Sequence, residues 1–294
     1  MGPVRKRLTA RGVGLLKLAA ERVLPARAVR ALRVWKRRRD RRRYRQRIVE
    51  HRYGGRALRV TIGCRYGERY DQDWPQLAEI ALLKQGRLRA GARVFDLGAN
   101  CGVIAMMLAA EVGASGHVVA LEAHPDDYAL AARNAELNGL TQLSCVHAAV
   151  ARVGGELAFG LNGQVDDGSR RWGDLRVPAF SIDELASTYG MPDVVFIDVD
   201  GFEYEALIGA TATLRSEADW FVEVHPADLA RYGDAGPREI IERFEGDGRT
   251  LFAAADGLGI VAGLGLTSLT RFRPLEQCPR ELLRQRFFLV ALSA

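Results

Sequence analysis

From Arg93 onward, short runs rich in β-branched and aromatic residues alternate with longer runs of helix formers. That alternation leaves few folds open. Parallel strands need long crossovers, and the helices that supply them cover both faces of the sheet. The runs "RVFDL", "HVVALE", "QLSCVHAAV", "GGELAFG", "DVVFIDV", "ADWFVEVH", "RTLFAAA" and "RFFLVALS" read as strands. Helices are expected from Val103, over "PDDYALAARNAELNG", over "EYEALIGATATLR" and over "PREIIERFEG". Another is expected over "SIDELASTYG", where Ser181 and Glu184 stand at capping-box spacing. The expectation is an α/β fold with a mostly parallel sheet. Its ligands bind beyond the carboxyl ends of the strands, where the strand order reverses.

The charge of the chain is unevenly placed. Residues 1–52 hold 19 Lys and Arg against 3 Asp and Glu, whereas the whole chain has 42 against 36. A basic arm over 1–52 therefore precedes an acidic body over 53–294. The arm is read as helical, broken at Pro25. Its arginines among Leu15, Leu16, Leu18 and Leu32 suit peripheral contact with an anionic membrane, and equally a docked extension of the body. Nucleic acid is disfavoured as a partner, because Trp35 and Tyr44 are the arm's only aromatics before His51. Cys64, Cys101, Cys145 and Cys278 form no CxxC pair, which fits a reducing compartment. A cytoplasmic location is expected, with the arm at the inner membrane surface.

The stretch "VFDLGANCGV" joins the first strand of the alternating region to its helix. Its glycines bring a ligand close to bare backbone. The spacing is neither the G-x-G-x-x-G of a dinucleotide fold nor a P-loop, since no lysine follows Gly102. Asp96 ahead of the first glycine would repel a pyrophosphate and suits a ligand with a cationic amine. The next strand ends in Glu122, where a carboxylate can accept both hydroxyl protons of a ribose. An amino acid joined to a ribose describes S-adenosylmethionine.

Together with "VVALEAHPDDYALAARNAELNG", "HAAVARVGG", "FSIDELA", "VVFIDVDGFEYEALIGA" and "FVEVHP", this stretch resembles the FkbM-type S-adenosylmethionine-dependent methyltransferases, from about Gln76 to Pro226. The resemblance implies a class I methyltransferase fold: a Rossmann-like sheet of seven mostly parallel strands with helices on both faces. It implies S-adenosylmethionine as the donor and a hydroxyl on a sugar, glycolipid or secondary metabolite as the acceptor. By the same resemblance, Asp96, Gly98, Asn100 and Gly102 surround the methionine part of the cofactor. Glu122 holds the ribose, the backbone at Ala148 lies by the adenine, and Asp198 borders the cofactor. The chain departs from the family at Phe196, where lysine is usual, and at Asp200, where glutamate is usual.

Methyl transfer to a hydroxyl requires that a proton be removed. The candidates are His225 as base, with Glu223 or Asp198 to orient it. Asp200 and Glu203 read as a helix cap with its box partner. No metal is assigned, although Asp198, Asp200 and Glu223 form an edge that could take Mg²⁺. Tyr70 and Trp74 read as packing residues that could also line the acceptor pocket. Two other functions fit the composition: an RNA methyltransferase using the arm, and a cofactor-binding protein without catalysis. The lack of an Asn-Pro-Pro-aromatic motif argues against methylation of an exocyclic amine.

Overall fold

The computed structural model describes residues 46–63, 66–159, 175–245, 248–261 and 265–294, with Ala28, Ala31, Trp35, Arg39 and Val165. The chain divides into two units, 1–43 and 44–294, so the body starts earlier than the expected residue 53. The arm's helices and the expected break at Pro25 lie outside the described residues, apart from four helical positions at 28, 31, 35 and 39. Among the described residues no helix is long and apolar enough to cross a membrane.

The body opens with an antiparallel hairpin, β1 (Arg47–Tyr53) and β2 (Arg56–Ile62). Gly54 and Gly55 form its two-residue turn, both with positive φ, as a tight hairpin turn of this length requires. The "YGGR" signal between alternating runs encodes this hairpin, which the sequence reading missed by placing 47–52 in the arm. Helix α1 (Ala78–Leu83) follows, then β3 (Arg93–Leu97), α2 (Val103–Val112), β4 (His117–Leu121), α3 (Pro125–Leu137) and β5 (Leu143–Val146). Strands β6 (Ala149–Val150), β7 (Gly155–Phe159) and β8 (Leu175–Phe180) form a separate three-stranded sheet. The expected single strand over 142–150 is thus two strands in two sheets. Next come α4 (Ile182–Tyr189), β9 (Val194–Ile197), α5 (Glu203–Ile208), α6 (Thr211–Leu214) and β10 (Asp219–Val224). The chain ends with α7 (Pro226–Leu229), α8 (Pro237–Glu242), β11 (Thr250–Ala255), β12 (Leu258–Val261), β13 (Gly265–Ser268), β14 (Arg273–Pro274) and β15 (Phe287–Leu292).

The central sheet has the order β14-β11-β15-β10-β9-β3-β4-β5. Strands β5, β4, β3, β9 and β10 run parallel, and β15 lies antiparallel between β10 and β11. Without the two-residue edge strand β14, this is the expected seven-stranded class I methyltransferase sheet. From β3 the chain builds outward through β4 and β5, then returns to build β9 and β10 on the other side. The order therefore reverses between β3 and β9, and the carboxyl ends of these two strands face the site.

The parallel strands are apolar on both faces because both faces are covered. On one face Val94, Phe196 and Phe221 pack with Ile80 of α1, Met106 of α2 and Leu130 of α3. On the other, Phe95, Leu97, Ile197 and Trp220 pack with Leu185 of α4, Leu207 of α5 and Ile240 of α8. The capping box at α4 is present: Ser181 Oγ accepts from Glu184 N–H at 3.1 Å and Glu184 Oε2 accepts from Ser181 N–H at 2.7 Å. The helix expected over 203–215 is instead α5 and α6. Asp183 explains the break, since its carboxylate accepts from Ala212 N–H at 2.8 Å and Thr213 N–H at 2.9 Å, capping α6 as a helix of its own.

Asn134, fully buried on α3, ties the hairpin to the glycine loop. Its Oδ1 accepts from Thr61 N–H at 2.8 Å and its Nδ2 donates to the Cys101 carbonyl at 2.8 Å. Replacing it with alanine removes both bonds and leaves the buried Thr61 N–H without this acceptor. Asn134→Ala should cost about 2–4 kcal/mol of stability, read from denaturant midpoints. An unchanged midpoint would show that the hairpin does not lean on α3.

Candidate active site

The loop after β3 and the loop after β9 touch at one point. Gly98 has φ +97, and a Cβ placed on it would lie 1.9 Å from the Asp198 carbonyl oxygen. Only glycine allows both the left-handed backbone and this approach. Beyond it, Asn100 also adopts positive φ, at 51°, which asparagine tolerates better than most residues. Its Oδ1 accepts from Cys101 N–H at 2.8 Å. Gly102, with φ +81, precedes the first turn of α2.

Glu122 stands just past β4 and braces this loop. Its Oε2 accepts from Asn100 N–H at 2.8 Å and its Oε1 from His124 N–H at 2.6 Å. Burial pushes its carboxyl up to about 7, with the backbone bonds opposing. Glu122, Gly98, Asn100, Ala148 and Asp198 line one cavity of about 1110 Å³. The structure thus brings together most of the cofactor residues expected from the sequence. Ala148 lies on its wall, but its N–H donates to the Val146 carbonyl at 3.0 Å and is not directed at a ligand. His124 lines the cavity and caps α3, accepting from Asp126 N–H at 3.3 Å.

Asp96 and Gly102 are not among the lining residues. Asp96 is buried beneath the loop, 3% exposed, and its Oδ2 has no hydrogen-bond partner among the described residues. Burial alone pushes its carboxyl up to about 7. In the sheet register Asp96 lies opposite Phe196, so the two side chains share a face. Phe196 stacks on Phe221 with ring centroids 3.9 Å apart. The residue that departs from the family pattern thus sets an aromatic pair beside a buried carboxylate, where the usual lysine would stand as a cation.

The second cluster sits at the ends of β9 and β10. His225 is 7% exposed, and its Nδ1–H donates to Glu203 Oε1 at 2.7 Å. Its Nε2 faces Glu223 at 3.4 Å, Asp200 at 3.6 Å and Asp198 at 3.9 Å. Sequence spacing correctly placed His225 with Asp198 and Glu223, but the orienting residue is Glu203. Glu203 is no cap partner of Asp200: α5 begins at Glu203 itself, preceded by Phe202, with no side-chain cap. Its Oε1 also accepts from Gly201 N–H at 2.8 Å. Asp200 holds positive φ, at 47°, in the turn between the strand and this helix.

Burial favours the neutral form of His225, but the hydrogen bonds to Glu203 and Glu223 and the charges of Glu203 and Asp198 outweigh it and push the imidazole up to about 11. With these carboxylates ionised the ring favours its protonated form, which opposes the role of base expected for it. Tyr70 and Trp74 pack together, as expected. Both are buried, with centroids 4.9 Å apart, and both line the cavity. Glu79, Asp256 and Arg286 line it too, and Arg286 pairs with Glu223 at 3.1 Å and with Asp256. These three were missed because they come from elements far apart in sequence, none carrying a motif.

Residues 96–244, half of the chain, match the family described as the methyltransferase FkbM domain. No curated protein sequence matches the chain. Among solved structures, a SAM-dependent O-methyltransferase from Thermotoga maritima is 14% identical, with a TM-score of 0.43 over 75% of this chain and 66% of that one. The methyltransferase FkbM from Methylobacillus flagellatus is 12% identical, with a TM-score of 0.41 over 68% of this chain and 43% of that one. An O-methyltransferase from Bacillus cereus, in complex with SAH, is 14% identical, with a TM-score of 0.42 over 74% and 79%.

The unpartnered Asp96 has a consequence for stability. A carboxyl raised from its unfolded 3.8 to about 7 binds its proton more tightly when folded, so its contribution is favourable at low pH and is lost as pH rises through that window. The full loss is about 4 kcal/mol. Asp96→Asn should therefore stabilise the ligand-free protein at pH 8 relative to its effect at pH 5, read from denaturant midpoints. An equal gap between variant and parent at both pH values would mean that Asp96 is ionised throughout.

Proposed function

The chain belongs to the FkbM methyltransferase family, and on that premise we propose that it transfers the methyl group of S-adenosylmethionine to a hydroxyl oxygen. The observation that carries this reading is Glu122. Its half-buried carboxylate, held by two backbone N–H groups in the cavity wall, keeps lone pairs to accept both hydroxyls of a ribose. Gly98 and Asn100 line the cavity beside it, where the methionine part would lie, and Ala148, Ala149 and Val150 form an apolar wall for the adenine.

The same cavity continues to Asp198 and His225, where the acceptor would meet the methyl group. Displacement at the sulfonium carbon is in line, so the acceptor oxygen must be held opposite the sulfur and must lose its proton. Asp198, Asp200 and Glu223 provide carboxylate oxygens at this edge, and His225 Nε2 faces all three. The acceptor half is walled by the Tyr70, Trp74, Phe196, Phe221 and Phe288 rings and by Glu79 and Asp256. Aromatic faces with carboxylate acceptors suit a polyhydroxylated acceptor, such as a sugar or its glycolipid. Incubation of cell extract with labelled donor and enzyme, followed by mass spectrometry, should place the label on oxygen; label on nitrogen or carbon would refute the hydroxyl reading.

Glu122→Ala should weaken S-adenosylmethionine binding by about 1–3 kcal/mol, the range for lost hydrogen bonds to a charged group. Calorimetry on the folded variant checks this. Unchanged affinity would remove the ribose from Glu122.

A further inference from the structure

One nitrogen and two carboxylates converge where β9 and β10 end. Asp198, Asp200 and His225 each offer a donor atom, and these atoms all lie within 4.8 Å of one another. His225 Nε2 is 3.6 Å from Asp200 Oδ1 and 3.9 Å from Asp198 Oδ1. Donors bound to one ion at about 2.0–2.2 Å stand roughly 3.0–3.5 Å apart when adjacent and about 4.2 Å apart when opposite. The two histidine–aspartate spacings lie between the adjacent and the opposite values. Asp200, whose side chain is 60% exposed, can rotate to close the difference.

The histidine is held as a metal ligand is held. Glu203, fully buried, accepts from Nδ1–H at 2.7 Å and so directs Nε2 at the two aspartates. A carboxylate on the outer N–H of a histidine fixes the ring's tautomer and orientation at metal sites. Independently of this trio, the cavity wall carries a carboxylate without a side-chain partner among the described residues: Glu79 is 6% exposed and lines the cavity. Glu223 and Asp256 line the wall as well and share Arg286. Without a metal, the His225 imidazolium and the Arg286 guanidinium lie among these carboxylates; a metal at Nε2 displaces the second ring proton, so binding is accompanied by proton release and strengthens as pH rises.

From this convergence we propose that Asp198, Asp200 and His225 bind a divalent first-row transition ion, with Glu203 as the positioning residue. One imidazole with two carboxylates suits Mn²⁺, Fe²⁺ or Zn²⁺ better than Mg²⁺, which takes oxygen ligands. The role of the ion rests on the methyl-transfer reading. It would hold the acceptor's hydroxyl oxygen and lower its pKa, the proton leaving to water before that oxygen takes the methyl group and the sulfonium becomes a thioether. Binding itself does not depend on that reading.

The test uses the full chain, freed of metal by chelation and dialysis and titrated with Mn²⁺ alone and Zn²⁺ alone by calorimetry. Pulsed EPR on the Mn²⁺ form reads nitrogen coordination. One ion per chain is expected, with a nitrogen coupling from His225. Asp200→Asn, on an exposed side chain, should lower affinity about tenfold or more, and Glu203→Gln roughly 10–100-fold. Both are judged on protein whose circular dichroism matches the parent, and S-adenosylhomocysteine binding should persist. Failure of both ions to bind stoichiometrically, absence of the nitrogen coupling, or affinity unchanged in Asp200→Asn and His225→Gln overturns the proposal. Metal binding without S-adenosylhomocysteine binding in the parent would support the metal site and strike the methyl-transfer reading instead.

Discussion

The site depends on the contact between Gly98 and the Asp198 carbonyl. Two loops from adjacent parallel strands must pass so closely that a single Cβ would lie 1.9 Å from that carbonyl oxygen. On one side of the contact lies the loop braced by Glu122, and on the other the carboxylate edge around His225. The reversal of strand order between β3 and β9 creates the crevice. The glycine lets its two walls meet.

The electrostatics of the cavity follow from where its carboxylates are placed. Asp96, Glu122 and Glu79 are each pushed up to about 7, with burial as the main cause, so each costs stability as an anion. Such a cost is retained in native proteins where function requires it. Glu122 has two backbone N–H groups to offset burial, and Asp96 Oδ2 has no hydrogen-bond partner among the described residues. Phe196, stacked on Phe221 beside Asp96, removes the cation that the family pattern would place on the same face.

Much of the fold was legible because hydrophobic period and loop chemistry agree. β3 ends where "RVFDL" ends, and the Ser181–Glu184 box opens α4 as read. The misreadings have local causes. A continuous helix over 203–215 was the natural reading of its composition, and the Asp183 cap from another helix divides it. The strand over 142–150 splits because two sheets share it. In the site, Gly98, Asn100, Glu122, Asp198, Glu223 and His225 were legible from their places at strand ends. Glu203 was visible but assigned to a cap, because spacing along a helix says nothing about a histidine 22 residues away that reaches its carboxylate. Glu79 and Arg286 had no sequence signal, since only the packing of distant elements brings them to the cavity.

The central claim is that the crevice between β3 and β9 holds the methyl donor with its ribose on Glu122 and its sulfur toward Asp198. A crystal structure of the chain with S-adenosylhomocysteine tests it most directly. The account predicts both ribose hydroxyls within hydrogen-bond distance of the Glu122 carboxylate, the methionine part along Gly98 and Asn100, and the sulfur facing the Asp198–His225 edge. A ligand bound elsewhere, or bound here with the Glu122 carboxylate unengaged, would contradict it.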